Sequence, residues 1–346
     1  MKYAFNGYLF SQRQTGVMRY AKEILLGIDK ICRDNEFVLV VPEYADKIPD
    51  LKRIKIVHHG KTRGNMWEQI DFLSYLKKTD VDSVNFNNTM PLFQPGIIVI
   101  HDIAYKIHPE FGTSLHGKIS NAYHRAIFSS ISKNVKPIVT VSYFSKYQLI
   151  DEYKIDPKRI YVISNAWQHM DRCGYDESII NQHGLNKGEF FFSLGSLSAM
   201  KNTKWIIEVA KKNPAYQFVL AGAQALNSRE NFIMPKNVTA VGFITDEQIK
   251  ALIKECKAFI YPSIYDGFGI PPLEALSQGV KVICSNAACL PEIYGSSVIY
   301  IDPYDSNVNI EELIKQHVED PRGVLEKYSW DKSAAEFYEL LQRNGI

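Results

Sequence analysis

Thirteen short apolar segments, most of them separated by amphipathic helical patterns, constrain the fold of this 346-residue chain more than any other feature. The first set lies at residues 2–6, 37–41, 54–57, 83–86, 97–100, 138–141 and 160–163, and the second at 190–194, 217–221, 238–241, 258–261, 280–284 and 298–301. Apolar strands that alternate with helices are typical of parallel sheets covered on both faces. The pattern therefore predicts an α/β protein with two doubly wound, Rossmann-like sheets.

A polar stretch between Asn165 and Gly188 separates the two sets of strands. It contains two further glycines, Gly174 and Gly184, which break any long element and suit an interdomain linker. A chain of this length also exceeds the usual single-core size of about 250 to 300 residues. We therefore expect two domains, followed by an amphipathic helix over residues 328–341.

Composition excludes several classes of protein. A hydrophobic share of 46% with 23% charged residues is typical of a folded soluble protein, and a net charge of +2 gives no case for nucleic acid binding. The five cysteines are odd in number and lack the short paired spacings of a zinc site, which predicts reduced and mostly buried thiols. No apolar signal segment or run of eighteen apolar residues is present, so we expect a cytoplasmic protein.

Residues 261–276 contain a strand end, two glycines, two adjacent prolines at the expected start of a helix, and two carboxylates. Gly267 and Gly269 let the backbone approach a ligand closely, and the prolines suit the first turn of a helix, whose N-terminus attracts anions. Glu274 would lie just inside this helix, where its carboxylate can accept hydrogen bonds from two ribose hydroxyls, and Asp266 would face the sugar. The segment predicts a site for a diphosphate sugar, against the alternative of an ordinary strand-to-helix turn.

This segment resembles the signature of the family 4 (group 1) retaining glycosyltransferases of the GT-B fold, in which two glutamates flank a Gly-Phe-Gly. Asp266 replaces the first glutamate and is one methylene shorter, whereas Glu274 matches the second. The resemblance implies that Glu274 binds the nucleotide ribose and that Asp266 reaches the donor sugar. It also implies that the intervening turn contacts the donor, through Gly267, Phe268, Gly269 and Ile270.

Residues 192–202 resemble the strand and phosphate loop of the same family. Lys201, followed by Asn202, matches the lysine that neutralises the donor diphosphate, and Ser196 belongs to the same donor loop. Ser196 and Met200 stand where relatives often carry arginine, so a bidentate contact is missing at both places. Because a charged hydrogen bond contributes roughly 1.5 to 3 kcal/mol, the donor site must find another cation, bind more weakly, or rely on backbone donors.

Two more positions match donor contacts of the family. Gly16 begins an amphipathic helix after the first strand, where it would let the donor phosphate or the acceptor approach, or would simply turn the chain. Phe243 follows the turn glycine Gly242 and matches the residue whose backbone meets the nucleotide base. The alternative for Phe243 is a place in the core.

The first half of the chain carries the predicted acceptor side. His101 and Asp102 follow a strand end, and a histidine there could bridge the donor sugar and the acceptor hydroxyl because its near-neutral pKa suits either polarity of hydrogen bond. The alternative is a His-Asp pair that orders a loop. Asn87 and Asn88, which close the preceding strand, are expected to line the acceptor side.

The resemblance covers nearly the whole chain and implies its domain organisation. We expect an acceptor-binding domain of residues 1–166 and 329–346, because the terminal helix crosses back in this family, and a nucleotide-sugar-binding domain of residues 167–328. The family retains anomeric configuration, with Lys201, Asp266, Glu274 and His101 as the catalytic candidates here. No metal or other cofactor is implied. Asp80 and Asp82 match the acidic pair by which another glycosyltransferase fold holds a metal, but we assign them to a solvated turn that enters a strand.

The expected partners are a nucleotide-sugar donor and a glycan or lipid-linked glycan acceptor of surface polysaccharide biosynthesis, such as O-antigen, capsule or exopolysaccharide. The resemblance suggests mannose or rhamnose as the transferred sugar. The expected donor is therefore GDP-mannose or dTDP-rhamnose, and a UDP-sugar is the other candidate. The basic and aromatic stretch at residues 116–136 could rest on the inner face of the cytoplasmic membrane, or form a solvated face. Two alternative functions are a nicotinamide oxidoreductase and a catalytically weakened sugar-nucleotide-binding protein of the same fold. The first is disfavoured because no Gly-x-Gly-x-x-Gly motif follows any predicted strand.

Overall fold

The computed structural model describes residues 2–112, 123–131, 136–195, 199–222 and 234–344. Two compact units divide the chain: the first runs to Asn165 and resumes at Trp330, and the second is Ala166–Ser329. Each of the thirteen apolar segments forms a strand, with ends that differ from the expected ones by no more than two residues.

The first unit is built on a seven-stranded parallel sheet in the order β3-β2-β1-β4-β5-β6-β7. Its strands are β1 Tyr3–Asn6, β2 Phe37–Val41, β3 Lys55–His58, β4 Asp82–Asn85, β5 Ile97–Ile100, β6 Ile138–Thr140 and β7 Ile160–Val162. Its helices are Gly16–Ile31, Leu73–Thr79, Ala104–Ile107, Tyr143–Tyr153 and Trp330–Asn344, with a π-helical turn at Trp67–Phe72 and further helical residues at 123–131. Strand order reverses between β1 and β4, where ligands of such sheets bind.

The C-terminal helix Trp330–Asn344 belongs to this first unit, as the fold prediction expected. It packs closely on the helix Gly16–Ile31, because a Cβ added at Gly27 would lie 2.3 Å from the Cβ of Ala334. Ser333 Oγ also donates to the carbonyl of Ser164 at 2.8 Å. The chain therefore returns to the first sheet after completing the second.

The second unit contains a six-stranded parallel sheet in the order β10-β9-β8-β11-β12-β13. Its strands are β8 Phe190–Leu194, β9 Gln217–Ala221, β10 Val238–Gly242, β11 Ala258–Tyr261, β12 Val282–Ser285 and β13 Ile299–Ile301. Its helices are His169–Arg172, Ser178–Gln182, Thr203–Lys212, Asp246–Glu255, Ile270–Ser277, Leu290–Tyr294, Ile310–Lys315 and Arg322–Lys327. The order reverses between β8 and β11, so the loops that follow these two strands meet at one edge of the sheet.

The polar stretch between Asn165 and Gly188 is not a free linker. Two short helices, His169–Arg172 and Ser178–Gln182, form within it, and all of it beyond Asn165 belongs to the second unit. Ile179 and Ile180 are buried, which anchors the stretch although most of its residues are polar. The chain therefore changes units at the start of the polar stretch rather than along it.

The cysteines are free and mostly buried, as the sequence predicted. Cys32, Cys256, Cys284 and Cys289 are buried and Cys173 is half-buried, and all five are free thiols. Burial raises the pKa of each of the four buried thiols, which makes them poor nucleophiles at neutral pH. None of the described helices combines the length and apolar character needed to cross a bilayer.

Candidate functional site

Lys201, Asp266 and Tyr261 meet where the strand order of the second sheet reverses. Lys201 ends a short 3₁₀ turn after β8, Tyr261 is the last residue of β11, and Asp266 lies in the following loop. The Lys201 ammonium forms an ion pair with Asp266 Oδ1 and donates a hydrogen bond to the Tyr261 hydroxyl at 2.8 Å. Two of the predicted donor residues, far apart in sequence, are thus brought into direct contact.

Asp266 retains an unused hydrogen-bonding atom. The side chain is only 13% exposed, and its buried Oδ2 has no hydrogen-bond partner among the residues that the structure describes. An unpaired buried acceptor costs about 1 to 3 kcal/mol, so a ligand hydroxyl that reached Oδ2 would relieve this cost. Beside the pair, a pocket is lined by Ser193, Leu194, Gly195, Lys201, Thr203, Leu220, Ala221 and Tyr261.

Glu274 lies in the second turn of the helix Ile270–Ser277 and is 6% exposed. One of its oxygens, Oε1, pairs with His169 Nε2 at 2.7 Å, and both side chains are buried. Because the carboxylate is an acceptor, the His169 nitrogen donates. The pair fixes the rotamer of Glu274, and sequence reasoning did not identify His169 as its partner.

The turn that precedes this helix depends on Gly269. Its φ of +78° is left-handed, and its carbonyl accepts a hydrogen bond from the Tyr294 hydroxyl. Phe268 is buried with its ring edge-on to Tyr328 at 5.1 Å, so the side chain is structural and only the backbone can meet a ligand. Gly267 and Ile270 are likewise buried, whereas the two prolines occupy the first helical turn as predicted.

We expect Gly269→Ala to destabilise the protein more than Gly279→Ala. Both positions have a left-handed φ, of +78° and +75°, so both substitutions incur the same backbone strain of about 1 to 2 kcal/mol. Only at Gly269 would the new Cβ clash, at 2.6 Å from Leu290 Cδ2, whereas nothing lies within 4 Å at Gly279. Urea unfolding should show a further loss of about 1 to 3 kcal/mol for Gly269→Ala. Equal losses would mean that the Leu290 side chain moves aside without cost.

The other donor candidates take less direct positions. Asn202 has a φ of +56° and its side chain donates to the carbonyls of Pro262 and Pro303, so it ties loops together. Phe243 is 57% exposed, which excludes the core alternative and leaves its predicted base contact open to test. Gly16 is exposed at the first position of its helix in the first unit. Ser196 lies outside the described residues.

Met200, which replaces an arginine of the family pattern, serves through its backbone. Its carbonyl accepts hydrogen bonds from the backbone N–H of Ile264 at 2.9 Å and from Ser263 Oγ at 3.2 Å. These contacts hold the loop of Asp266 against the loop of Lys201. The missing guanidinium is thus not replaced at this position by another cation.

On the first unit, the predicted acceptor residues organise the loops that follow β4 and β5. The Asn88 side chain accepts a hydrogen bond from the backbone N–H of His101 at 2.7 Å, and Asn88 itself has a φ of +57°. Asp102 Oδ1 accepts from the backbone N–H of Ala104 at 2.9 Å. Asn87 is half-buried nearby in the chain. The structure therefore joins Asn88 to His101, and Asp102 caps the next turn, as the loop-ordering alternative proposed for it.

The expected near-neutral pKa of His101 is wrong. The residue is 7% exposed, and this burial lowers its pKa to about 4. Its Nε2 lies 3.0 Å from the carbonyl oxygen of Phe86, which can only accept, so the neutral ring carries its proton on Nε2. His101 is therefore neutral at physiological pH, and Nδ1 is left as its acceptor.

Asp80 and Asp82 lie in a turn and at the start of the strand that follows it, as we expected from the sequence. Asp80 has a φ of +53° and ends the helix Leu73–Thr79, whereas Asp82 begins β4 and pairs with Lys136 at 2.6 Å. In the described parts of the chain, no three potential metal ligands converge. Of the basic stretch 116–136, only residues 123–131 and 136 are described.

Two family sequence models match the chain in succession. Residues 15–167 match "Glycosyltransferase Family 4" and residues 176–336 match "Glycosyl transferases group 1". The two matches follow the division of the structure into units closely, and together they cover most of the chain. The segment with Lys201, Asp266 and Glu274 lies within the second match.

Two curated relatives extend the match. "O-antigen chain mannosyltransferase B" of Escherichia coli is 23% identical over 92% of this chain and 93% of its own length. "O-antigen chain mannosyltransferase RfbU" of Salmonella typhimurium is 26% identical over 66% of this chain and 64% of its own length. The first alignment thus spans both units.

Solved structures share the fold. Anabaena HepE, solved with UDP and glucose, has a TM-score of 0.73 at 15% identity and covers 99% of this chain and 100% of its own. WaaG, described as a glycosyltransferase of lipopolysaccharide biosynthesis, has a TM-score of 0.67 at 15% identity over 99% of this chain and 98% of its own. At this level of identity, the likeness establishes the two-sheet GT-B fold.

Proposed function

Because the chain belongs to the family 4 (group 1) glycosyltransferases, we propose that it transfers a hexose or deoxyhexose, with retention, from a nucleoside-diphosphate sugar to a glycan or lipid-linked glycan hydroxyl. The observation that carries the proposal is the cluster of Lys201, Asp266 and Tyr261 at the reversal of the second sheet, one loop away from the helix of Glu274. Ligands of doubly wound sheets bind at such reversals. The cluster supplies one cation and one unpaired acceptor, which suit a diphosphate and a sugar hydroxyl.

Each residue then has a distinct task. When the donor binds, the Lys201 ammonium would leave its ion pair with Asp266 and pair with the donor diphosphate. The N-terminus of the helix Ile270–Ser277 would donate backbone N–H groups to the same diphosphate. Glu274 Oε1 is engaged by His169, so Oε2 is the oxygen best placed to accept from the ribose hydroxyls. Asp266 would accept a sugar hydroxyl through Oδ2, or through a water, because it is shorter than the family's glutamate.

The reaction requires one bond to break and one to form at the anomeric carbon. The bond from this carbon to the diphosphate oxygen breaks with its electron pair passing to the diphosphate. The acceptor oxygen attacks from the same face, and its proton passes to the departing phosphate oxygen. Lys201 and the helix N-terminus stabilise the developing negative charge, so we propose that no metal is needed.

The names of the two curated relatives favour mannose as the donor sugar and O-antigen as the product. GDP-mannose is therefore the first donor to test, followed by dTDP-rhamnose and then UDP-sugars, since HepE was solved with UDP and glucose. A lipid-linked acceptor would bring the protein to a membrane surface. This surface contact and the identity of the sugar are parts of the proposal.

A catalytically weakened sugar-nucleotide-binding protein is the second candidate. Met200 supports it, because its side chain brings no charge to a position where the family often has arginine, and so does the shortened Asp266. In that case the protein would bind a donor without turning it over. The two candidates differ in turnover and agree in binding.

The test is a screen of GDP-, dTDP-, UDP- and ADP-sugars, without added metal, by thermal shift and by release of nucleoside diphosphate. Each donor is supplied alone, with p-nitrophenyl α-mannoside, and with a lipid-linked glycan fraction extracted from a bacterium that makes O-antigen. We expect one donor to raise the melting temperature and to be consumed faster with an acceptor. Binding without consumption would support the weakened binder, and no response to any donor would refute both.

A further inference from the structure

A second buried polar cluster lies in the first unit, around a carboxylate that the proposed reaction does not use. Glu68 is 2% exposed and lies in the π-helical turn Trp67–Phe72. Its Oε2 accepts hydrogen bonds from Asn6 Nδ2 at 2.8 Å and Thr89 Oγ1 at 2.9 Å. Its Oε1 accepts from the Tyr123 hydroxyl at 2.9 Å and from Gln69 Nε2 at 3.1 Å.

Burying the Glu68 carboxylate among neutral groups costs folding free energy. All four donors are neutral, and no ion pair with Glu68 forms among the described residues. Burial raises the pKa of the Glu68 carboxyl, and the hydrogen bonds oppose this shift. Because a buried carboxylate without a cation is costly, apolar packing would serve stability alone better. Polar clusters of this kind are found at functional sites more often than in ordinary cores.

The position of the cluster points to a ligand-binding edge. Asn6 ends β1 and Asn85 ends β4, the two strands between which the order of the first sheet reverses. Asn6 Nδ2 bridges them by donating to Asn85 Oδ1 at 3.1 Å as well as to Glu68. Since ligands of such sheets bind beyond the carboxyl ends of these strands, the cluster lies directly beneath the expected site.

From this edge, the cluster holds the loop at residues 86–92. Thr89 donates to Glu68 itself, and the neighbouring Gln69 side chain donates to the Met90 carbonyl and accepts from the Leu92 N–H, each at 2.9 Å. The same loop carries Asn88, whose side chain fixes the backbone of His101. One carboxylate and its neighbour thereby set the position of the whole predicted acceptor loop.

We propose that Glu68 is a positioning residue for the acceptor glycan, acting by holding the loop at residues 86–92 in its binding conformation. The proposal rests on the proposed glycosyltransferase function. Glu68 does not touch the substrate, because it is enclosed by its four donors. Its loss should weaken use of the acceptor and leave the donor site, which lies in the other unit, unaffected.

Glu68→Gln tests this, with Asp29→Asn as the matched control. The amide of Glu68→Gln fits the same space but presents an N–H₂ group to donors on one side. Asp29 is also a buried carboxylate of the first unit, but it accepts from the backbone N–H groups of Lys52, Arg53 and Ile54, before β3 and away from the carboxyl edge. Both variants lose a buried charge, but only Glu68→Gln removes the contacts that hold the loop at residues 86–92.

We expect Glu68→Gln to raise the KM for the acceptor identified in the donor screen by about tenfold or more, as expected when hydrogen bonds to a charged group are lost. The donor KM and the acceptor-free hydrolysis of donor should stay within about twofold. Asp29→Asn should lower the melting temperature without raising the acceptor KM. Thr89→Val, which removes a single donor to Glu68, should raise the acceptor KM by about threefold and serves if Glu68→Gln does not fold.

An unchanged acceptor KM in Glu68→Gln or Thr89→Val would overturn the inference, and so would an equal rise in Asp29→Asn. A parallel rise in the donor KM would also contradict it, because it would indicate a general loss of structure. Failure of the proposed function shows itself separately, in the wild-type protein, as absence of transfer from every donor. The two failures are thus distinguishable.

Discussion

Glu274→Ala is expected to reduce glycosyl transfer by a factor of about 100 or more. A carboxylate that accepts two ribose hydroxyls makes two charged hydrogen bonds, each worth roughly 1.5 to 3 kcal/mol, and both disappear in this variant. The loss should fall on donor binding and on kcat/KM. It is measured by initial rates at a series of donor concentrations and by titration of the nucleoside diphosphate, which carries the same ribose.

The pairing with His169 demands a control for stability. Removing Glu274 leaves a buried His169 nitrogen without its partner, which alone costs about 1 to 3 kcal/mol of folding free energy. Glu274→Gln keeps an oxygen for His169 and loses the charge. We therefore expect Glu274→Gln to melt close to the wild-type temperature, yet to bind the nucleoside diphosphate at least about tenfold more weakly.

A nucleoside diphosphate analogue with 2′-deoxyribose sharpens the test. With a ribonucleotide donor such as GDP-mannose, the wild-type protein should prefer the ribose form, and both Glu274 variants should lose this preference, because only the carboxylate accepts hydrogen bonds from both hydroxyls. Near-wild-type transfer by a folded Glu274→Ala protein would remove Glu274 from the donor site. A preference for ribose that survived in both variants would assign the sugar to another residue.

The sequence predicted the scaffold well because its signals are local. Period and composition located every strand that the described residues form, and the two prolines and glycines around residue 270 located a helix start. The same local reasoning placed Lys201 and Asp266 at strand ends of one sheet. Their direct ion pair was not predicted, because 65 residues separate them and no short-range rule decides which side chains meet across a sheet edge.

Burial is what sequence reasoning judged least well. His101 was expected to titrate near neutrality, but its surroundings, contributed by residues distant in sequence, lower the pKa to about 4. His169 and Glu68 were assigned no catalytic or binding role, since a single histidine or glutamate in a chain carries no signal of its partner. For Phe243, the sequence left both a base contact and a place in the core open, and its exposure excludes the core.

Lys201→Met is expected to lower kcat by about 100- to 1000-fold, the usual loss when one donor to a developing anion is removed. The leaving diphosphate gains charge as the sugar departs, and Lys201 is the cation brought to the reversal of the second sheet. Inhibition by the nucleoside diphosphate should weaken by about tenfold or more, whereas binding of the free nucleoside, which has no phosphate, should be unchanged. Competition assays with both ligands measure this difference.

The ion pair with Asp266 offers a rival explanation that a double variant excludes. Lys201→Met leaves the Asp266 carboxylate buried without its cation, and the resulting destabilisation could by itself distort the site. Lys201→Met combined with Asp266→Asn removes both charges and should recover much of the lost stability. If Lys201 acts on the diphosphate, this stable double variant still binds the nucleoside diphosphate as weakly as Lys201→Met alone, because the phosphates still lack their cation and this ligand carries no donor sugar for residue 266 to contact. Recovery of nucleoside diphosphate affinity together with stability would instead make Lys201 a structural counter-ion, and the backbone N–H groups at the start of the helix Ile270–Ser277 would then have to stabilise the leaving group alone.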